Sequence, residues 1–346
     1  MVYKINVPLV GGGTRKKEII DANNNLTIDE IRVESIEQKT FVQGSSFGYR
    51  SGGGTPNPSN GIVIDRFSFS ADGNATDVGD LTQTRIYLSG ASSETHGYSA
   101  GGYSPPESSL RNTIDKFPFA TATANATDVG DLTQGKARSS GNTSPTHGYA
   151  AGGESSINTI IKGIDKYSLS SDGNGTDIGD LSQERRGGSS QSSTTSGYHG
   201  GGTGPTIFAD NTTIDKFPFA SDTGGTNVGD LSQARGNVSG NSSGSAGYAS
   251  GGEIPSPYSS VNTIDKFPFA SDGTATDVGD LITISTLHCQ GQNSTVSGYQ
   301  AGGNSPAISP GSRNAIQKFP FSSDANATDV GDLTTEMYHI AAGQQV

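Results

Sequence analysis

The chain has no tryptophan, one cysteine and two methionines, and only 30% of its 346 residues are apolar. A lone cysteine, Cys289, excludes an internal disulfide and any cysteine-built metal cluster. No apolar run approaches the roughly 18 residues of a spanning helix, so no membrane insertion is expected. Cations are scarce: 22 Lys and Arg against 34 Asp and Glu leave a net charge of −12. That balance argues against nucleic acid, which is held by basic side chains on its phosphates. The opening "MVYKINVPLVGGG" lacks the charged start and long apolar core of a secretory signal. So little apolar material would suit a disordered chain, except that what there is recurs at fixed places.

Glycine is abundant, with 50 residues, and it marks the period. Gly-Tyr pairs begin at Gly48, Gly97, Gly148, Gly197, Gly247 and Gly298, spaced 49 to 51 residues apart. Each is followed by Gly-Gly, then by a phrase such as "NTIDKFPFASD", then by "TDVGDLT" or a near variant. Four strand-sized pieces per unit, parted by Gly, Ser, Asn and Asp clusters, predict an all-β β-propeller of four-stranded antiparallel blades. No stretch shows the apolar period of a helix. Repeats are expected at about 36–83, 84–134, 135–183, 184–233, 234–283 and 284–335. Residues 1–35 form an irregular start, and 336–346 a closing strand joining an N-terminal blade. The residues outside the clean periods amount to nearly two more units, which favours seven blades. The alternative is six blades with an N-terminal anchor.

In "IDKFPF" the two-residue period places Asp115, Phe117 and Phe119 on one face and Ile114 and Lys116 on the other. The paired aromatics need a neighbouring blade to cover them. Proline is optional, since Ser68 and Ser168 replace it, and belongs at a strand end or bulge.

Gly-Gly ending one strand, Ile-Asp with an aromatic on the next, Asp-Leu and then an arginine resemble the kelch-type propeller repeat. The arginine is read at Arg85, Arg138, Arg185 and Arg235 and is missing from "TISTLHC" and "TTEMYHI"; the kelch tryptophan is absent throughout. Phrases such as "IDKFPFASDGTATDVGDL" also resemble kelch-like repeat proteins of marine bacteriophages. This resemblance implies a virion or tail-associated structural protein, assembled in host cytoplasm beside other virion proteins. Its further partner would be a host surface glycan or protein. The alternatives are a cytosolic kelch-like interaction module and a propeller-fold carbohydrate-active enzyme.

No catalytic residue, cofactor or metal site is read from the sequence. Asp72, Asp77 and Asp80, with counterparts Asp272, Asp277 and Asp280, could offer oxygen ligands to calcium. The stronger reading is turn chemistry, in which Asp and Asn bond nearby backbone N–H groups. Asn227 replaces one such aspartate, and the "ATATANATD" copy lacks the first. The Ile-Asp carboxylates Asp65, Asp115, Asp165, Asp215 and Asp265 give way to Gln317, which favours a shared hydrogen-bonding role over acid–base chemistry. His96 and His147 precede Gly-Tyr in successive units and read as surface strand residues. His288 and Cys289 are adjacent, which on a strand points them to opposite faces. The loops after Gly-Gly differ in every unit and carry the candidate binding residues Tyr103, Arg111, Phe208, Tyr258 and Arg313.

Overall fold

A computed structural model describes residues 14–20, 26–32, 44–54, 61–120, 123, 125–156, 159–206, 211–255, 258–282, 291–303, 314–336 and 341–344. The chain divides into two compact units, 1–39 and 40–346. The first contains an antiparallel hairpin, Thr14–Ile20 paired with Leu26–Arg32, in which Lys16 lies opposite Glu30 and Lys17 opposite Asp29.

The second unit is a propeller of six four-stranded antiparallel blades. Blade 1 takes its innermost strand from the end of the chain, Ala341–Gln344, followed outward by Phe47–Ser51, Val63–Ser68 and Thr76–Asp80. Blade 2 runs Ser89–Ser92, His96–Ala100, Thr113–Pro118, Thr127–Asp131. Blade 3 runs Ser140–Thr143, His147–Ala151, Gly163–Ser168, Thr176–Asp180. Blade 4 runs Ser189–Ser192, Ser196–Gly200, Thr213–Pro218, Thr226–Asp230. Blades 5 and 6 start at Ser239–Ser242 and Gln292–Asn293 and end at Thr276–Asp280 and Thr328–Asp332.

Of the two blade counts the sequence left open, the ring is the six-bladed one. Each innermost strand touches the next, and Ala341–Gln344 touches those of both blade 6 and blade 2, leaving no place for a seventh. The closing strand does join the first blade, in register with Ser51 to Gly48. The head of the chain, 1–39, is a separate unit and supplies no blade.

Aromatic residues join the blades. Tyr49 of blade 1 lies 5.8 and 4.6 Å from the ring centroids of Phe117 and Phe119 in blade 2. The same contact links Tyr149 to Phe217 and Phe219, Tyr198 to Phe267 and Phe269, and Tyr248 to Phe319 and Phe321. Tyr299 closes the circle onto Phe67 and Phe69. The Gly of each Gly-Tyr pair lies beneath the aromatic opposite it: a Cβ on Gly97 would stand 2.2 Å from the Phe117 ring. The aromatic thus covers the glycine of its own blade and meets the tyrosine of the previous one. The prolines Pro118, Pro218, Pro268 and Pro320 each end a third strand, where no ladder donor is lost.

The constant Asp- and Asn-rich turns cover the outer edges. Ala126 N–H donates to Asp80 O of the preceding blade at 2.8 Å, and Ala75 donates to Asp332 O at 2.7 Å. The four intervening junctions repeat the bond. Asn125 Oδ1 accepts from Asp80 N–H and Asn74 Oδ1 from Asp332 N–H, while Asp77 Oδ1 accepts from Gly79 N–H. These are the turn bonds expected of the phrase, and they occupy edge groups that would otherwise recruit another strand. The first aspartate of the turn instead reaches the lysine of the preceding blade: Lys116 to Asp172 at 2.9 Å, Lys266 to Asp324 at 2.8 Å and Lys318 to Asp72 at 2.9 Å. Where blade 2 lacks that aspartate, Arg66 of blade 1 lies over the Phe47 ring at 4.6 Å instead.

Candidate functional site

The propeller has two unlike faces. On one lie the uniform turns just described. On the other, the loop after Gly-Gly meets the connection entering its own blade, through bridges Ile86–Tyr103, Ala137–Glu154, Arg186–Thr203 and Gly236–Glu253. The two glycines make this meeting possible. Gly101 and Gly102 have φ of +66° and +102°; a Cβ on Gly102 would stand 2.9 Å from Ile86 O of that connection, and one on Gly101 2.4 Å from Lys136 O of the connection entering the next blade.

A buried cation anchors this face in five blades. Arg85 Nη1 donates to Gly101 O at 2.6 Å and Thr113 O at 2.8 Å, and Nη2 meets Asp115 Oδ2 at 2.6 Å, both side chains fully buried. Arg185 with Asp215 and Arg235 with Asp265 repeat it at 2.6 and 2.7 Å. Burial pulls the Arg85 guanidinium below its usual range, and the Asp115 carboxylate opposes that. The same carboxylates bind the connection entering the blade: Asp115 accepts Thr82 N–H on the oxygen that meets Arg85 and the Thr82 hydroxyl on the other, and Asp65 accepts Thr334 N–H and hydroxyl in the same way across the ring closure. The Ile-Asp carboxylates are therefore shared hydrogen-bond acceptors, as their replacement by Gln317 suggested.

One sequence assignment needs correction. The cation of blade 3 is Lys136, whose Nζ is 3.3 Å from Asp165 Oδ1, and not Arg138. Lys136 follows Leu132 by the interval at which Arg85 follows Leu81, so position rather than residue type decides. In blade 1 the incoming connection has Met337 at this position, and Arg50 on the second strand reaches Asp65 at 3.5 Å. In blade 6 the connection "TISTLHCQ" has no Lys or Arg and the carboxylate is Gln317, which accepts from Ile282 N–H at 2.7 Å. Charge and countercharge are lost together.

Of the candidate binding residues, Tyr103 and Arg111 belong to one small hairpin of blade 2. Tyr103 is half-buried and exchanges backbone bonds with Ile86, and Arg111 pairs with Glu107 at 3.1 Å. Tyr258 starts the matching hairpin strand of blade 5. Phe208 and Arg313 lie outside the described residues, as do His288 and Cys289. In blade 4 the same region frames a groove of about 350 Å³ lined by Gln183, Glu184, Gly204, Pro205, Thr206 and Asn211. His96 and His147 are half-buried strand residues, each ring Nδ1 2.8 Å from the preceding threonine hydroxyl.

His199 had drawn no role from the sequence. It is fully buried, and among the described residues neither ring nitrogen has a hydrogen-bond partner. Burial, with Arg185 nearby, holds it well below its ordinary value near 6.5. Gly188 makes the room: a Cβ there would stand 2.3 Å from His199 Nε2. Blade 5 has Val238 and Ala249 at these two positions. Because the folded state binds the His199 proton only at lower pH, the unfolded chain takes up more protons below about pH 6.5. Stability should therefore fall there by about 1.4 kcal/mol per pH unit, with no contribution from this group above it. The double variant Gly188→Val/His199→Ala should match wild type near neutrality and flatten that acid slope. Urea midpoints at several pH values measure it; an unchanged slope would contradict the assignment.

No protein-family model matches the chain, and no curated protein matches it. The structure itself places it: a β-propeller of repeating four-stranded blades, consistent with the kelch type.

Proposed function

We propose that this chain is a non-enzymatic structural and attachment protein of a bacteriophage particle, presenting the Gly-Gly loop face to a glycan or protein on the host surface. One observation carries the binding half of the reading. The core and the turn face are nearly uniform around the ring, while the loop after Gly-Gly differs in every blade. Variation on an otherwise repeated scaffold is how loops acquire specificity. The Ile-Asp carboxylates are engaged in tying each blade to the connection that enters it, which supports a binding role over hydrolysis. The particle setting rests on the resemblance of the repeat phrases to marine phage proteins. Mass spectrometry of purified particles should find the chain in fixed stoichiometry, and purified propeller should compete with particle adsorption to host cells. Absence from particles, with recovery only from the soluble fraction bound to a cellular protein, would overturn the reading in favour of a cytosolic interaction module.

A further inference from the structure

Among the described residues, three that are not glycine hold left-handed backbone at one recurring place. Tyr87, Arg138 and Asn237 have φ of +61°, +56° and +58°, and the blade 4 equivalent is Gly187 at +64°. Each stands two residues before the start of an innermost strand. The segments also bond to one another around the ring: Arg138 N–H to Tyr87 O at 2.9 Å, Gly187 N–H to Arg138 O at 2.9 Å and Val238 N–H to Gly187 O at 3.0 Å. Backbone bonding from blade to blade at the foot of the innermost strands places this collar around the ring axis, on the loop face. The left-handed region is unfavourable for a side chain and free for glycine. Gly187 shows that the collar needs nothing more than glycine, so Tyr, Arg and Asn are not there for the backbone.

The side chains of Tyr87 and Arg138 meet, and that of Asn237 reaches a glutamate of its own blade. The Arg138 guanidinium lies 4.1 Å from the Tyr87 ring centroid, and its buried Nε, 3.6 Å from Glu154 Oε1, makes no hydrogen bond. Arg186 Nη1 donates to Glu154 Oε2, and Asn237 Nδ2 donates to Glu253 Oε2 at 2.9 Å. Glu154 and Glu253 each follow a Gly-Gly pair, in blades 3 and 5. Among the described collar residues two guanidiniums balance two carboxylates, leaving no excess charge there of the kind that a phosphate, a sulfate or an amine would need. Besides the Tyr87 hydroxyl, the polar groups of the described collar residues are flat two-atom forks, guanidinium, carboxylate and amide, which match adjacent hydroxyls in pairs. A flat aromatic–guanidinium stack beside them offers a surface for a sugar ring.

We infer that the axial collar formed by Tyr87, Arg138, Glu154, Arg186, Asn237 and Glu253 is a binding site for a neutral saccharide. The inference deepens the attachment reading above and rests on its glycan branch. The test uses the full chain, titrated by calorimetry with neutral oligosaccharides built from glucose, galactose, mannose and N-acetylglucosamine, and with acidic ones in parallel. The variants are Asn237→Gly alone and Tyr87→Gly/Arg138→Gly/Asn237→Gly together. Glycine relieves the backbone while Glu253 and Glu154 lose a partner, so both variants should stay folded, which their melting curves check. The triple variant should lose neutral-sugar binding at least tenfold, and Asn237→Gly should weaken it. Sugar binding unchanged in the triple variant would overturn the collar site while leaving glycan attachment standing. Binding of acidic sugars only would overturn the neutral ligand. Particle adsorption blocked by the propeller with no oligosaccharide bound would overturn the inference and leave a host protein as the receptor.

Discussion

Arg235→Met should destabilise the propeller by about 3–5 kcal/mol, because it leaves Asp265 charged, buried and without its countercharge. The loss is larger than for a surface pair, since both side chains are fully buried. Arg235 also donates to Gly251 O at 2.8 Å and Thr263 O at 3.0 Å, so one carbonyl of the Gly-Gly pair and one at the start of the third strand lose a partner. The second half of the expectation comes from blade 6, where no Lys or Arg stands in the connection and glutamine replaces the aspartate. Adding Asp265→Gln to Arg235→Met reproduces that arrangement. Ser232 N–H, now 2.9 Å from Asp265 Oδ2, keeps an acceptor as Ile282 does with Gln317. The double variant should therefore be more stable than Arg235→Met alone, with a coupling of about 2 kcal/mol or more in a double-mutant cycle. Urea unfolding of the four proteins measures it. Additive losses would mean that the charge pair is incidental and that blade 6 tolerates its loss for other reasons.

Much of this architecture was legible because a repeat displays its own tolerances. Phe117 and Phe119 vary only to other large apolar groups, Pro118 gives way to serine, and the turns keep Asn and Asp; each regularity proved to be a packing, strand-end or edge bond. The blade count was ambiguous for a physical reason. Closure by Ala341–Gln344 fixes six blades through contacts far apart in sequence, while residues 1–39 are long enough to look like most of another unit. Arg138 was matched to the other arginines by residue type, although the distance from Leu132 selects Lys136. The tyrosine of Gly-Tyr was read as a period marker, and its role as partner of the next blade's aromatics needed the ring. The collar was harder still. Left-handed backbone at Tyr87, Arg138 and Asn237 leaves no compositional mark, and their one signal is variety in a column just ahead of the uniform Ser-rich strands.

Closure is the property on which core, edges and loop face all depend. The strand Ala341–Gln344 pairs with Ser51 to Gly48 and touches the innermost strands of blades 2 and 6. Its removal bares the Phe47–Ser51 edge and opens the ring at the junction where Tyr299 meets Phe67. Four residue pairs at about 1 kcal/mol per backbone bond, with the lost packing in addition, amount to a large share of a typical domain's stability.

The direct measurement is thermal unfolding of a chain ending at Ile340, alone and with a synthetic peptide of residues 336–346 added in excess. The truncated chain should melt lower by about 10 °C or more, and the peptide should restore most of the loss in a concentration-dependent way by supplying the missing strand. A truncated chain that melts at the full-length temperature, indifferent to the peptide, would contradict a six-bladed ring closed by its own C-terminus.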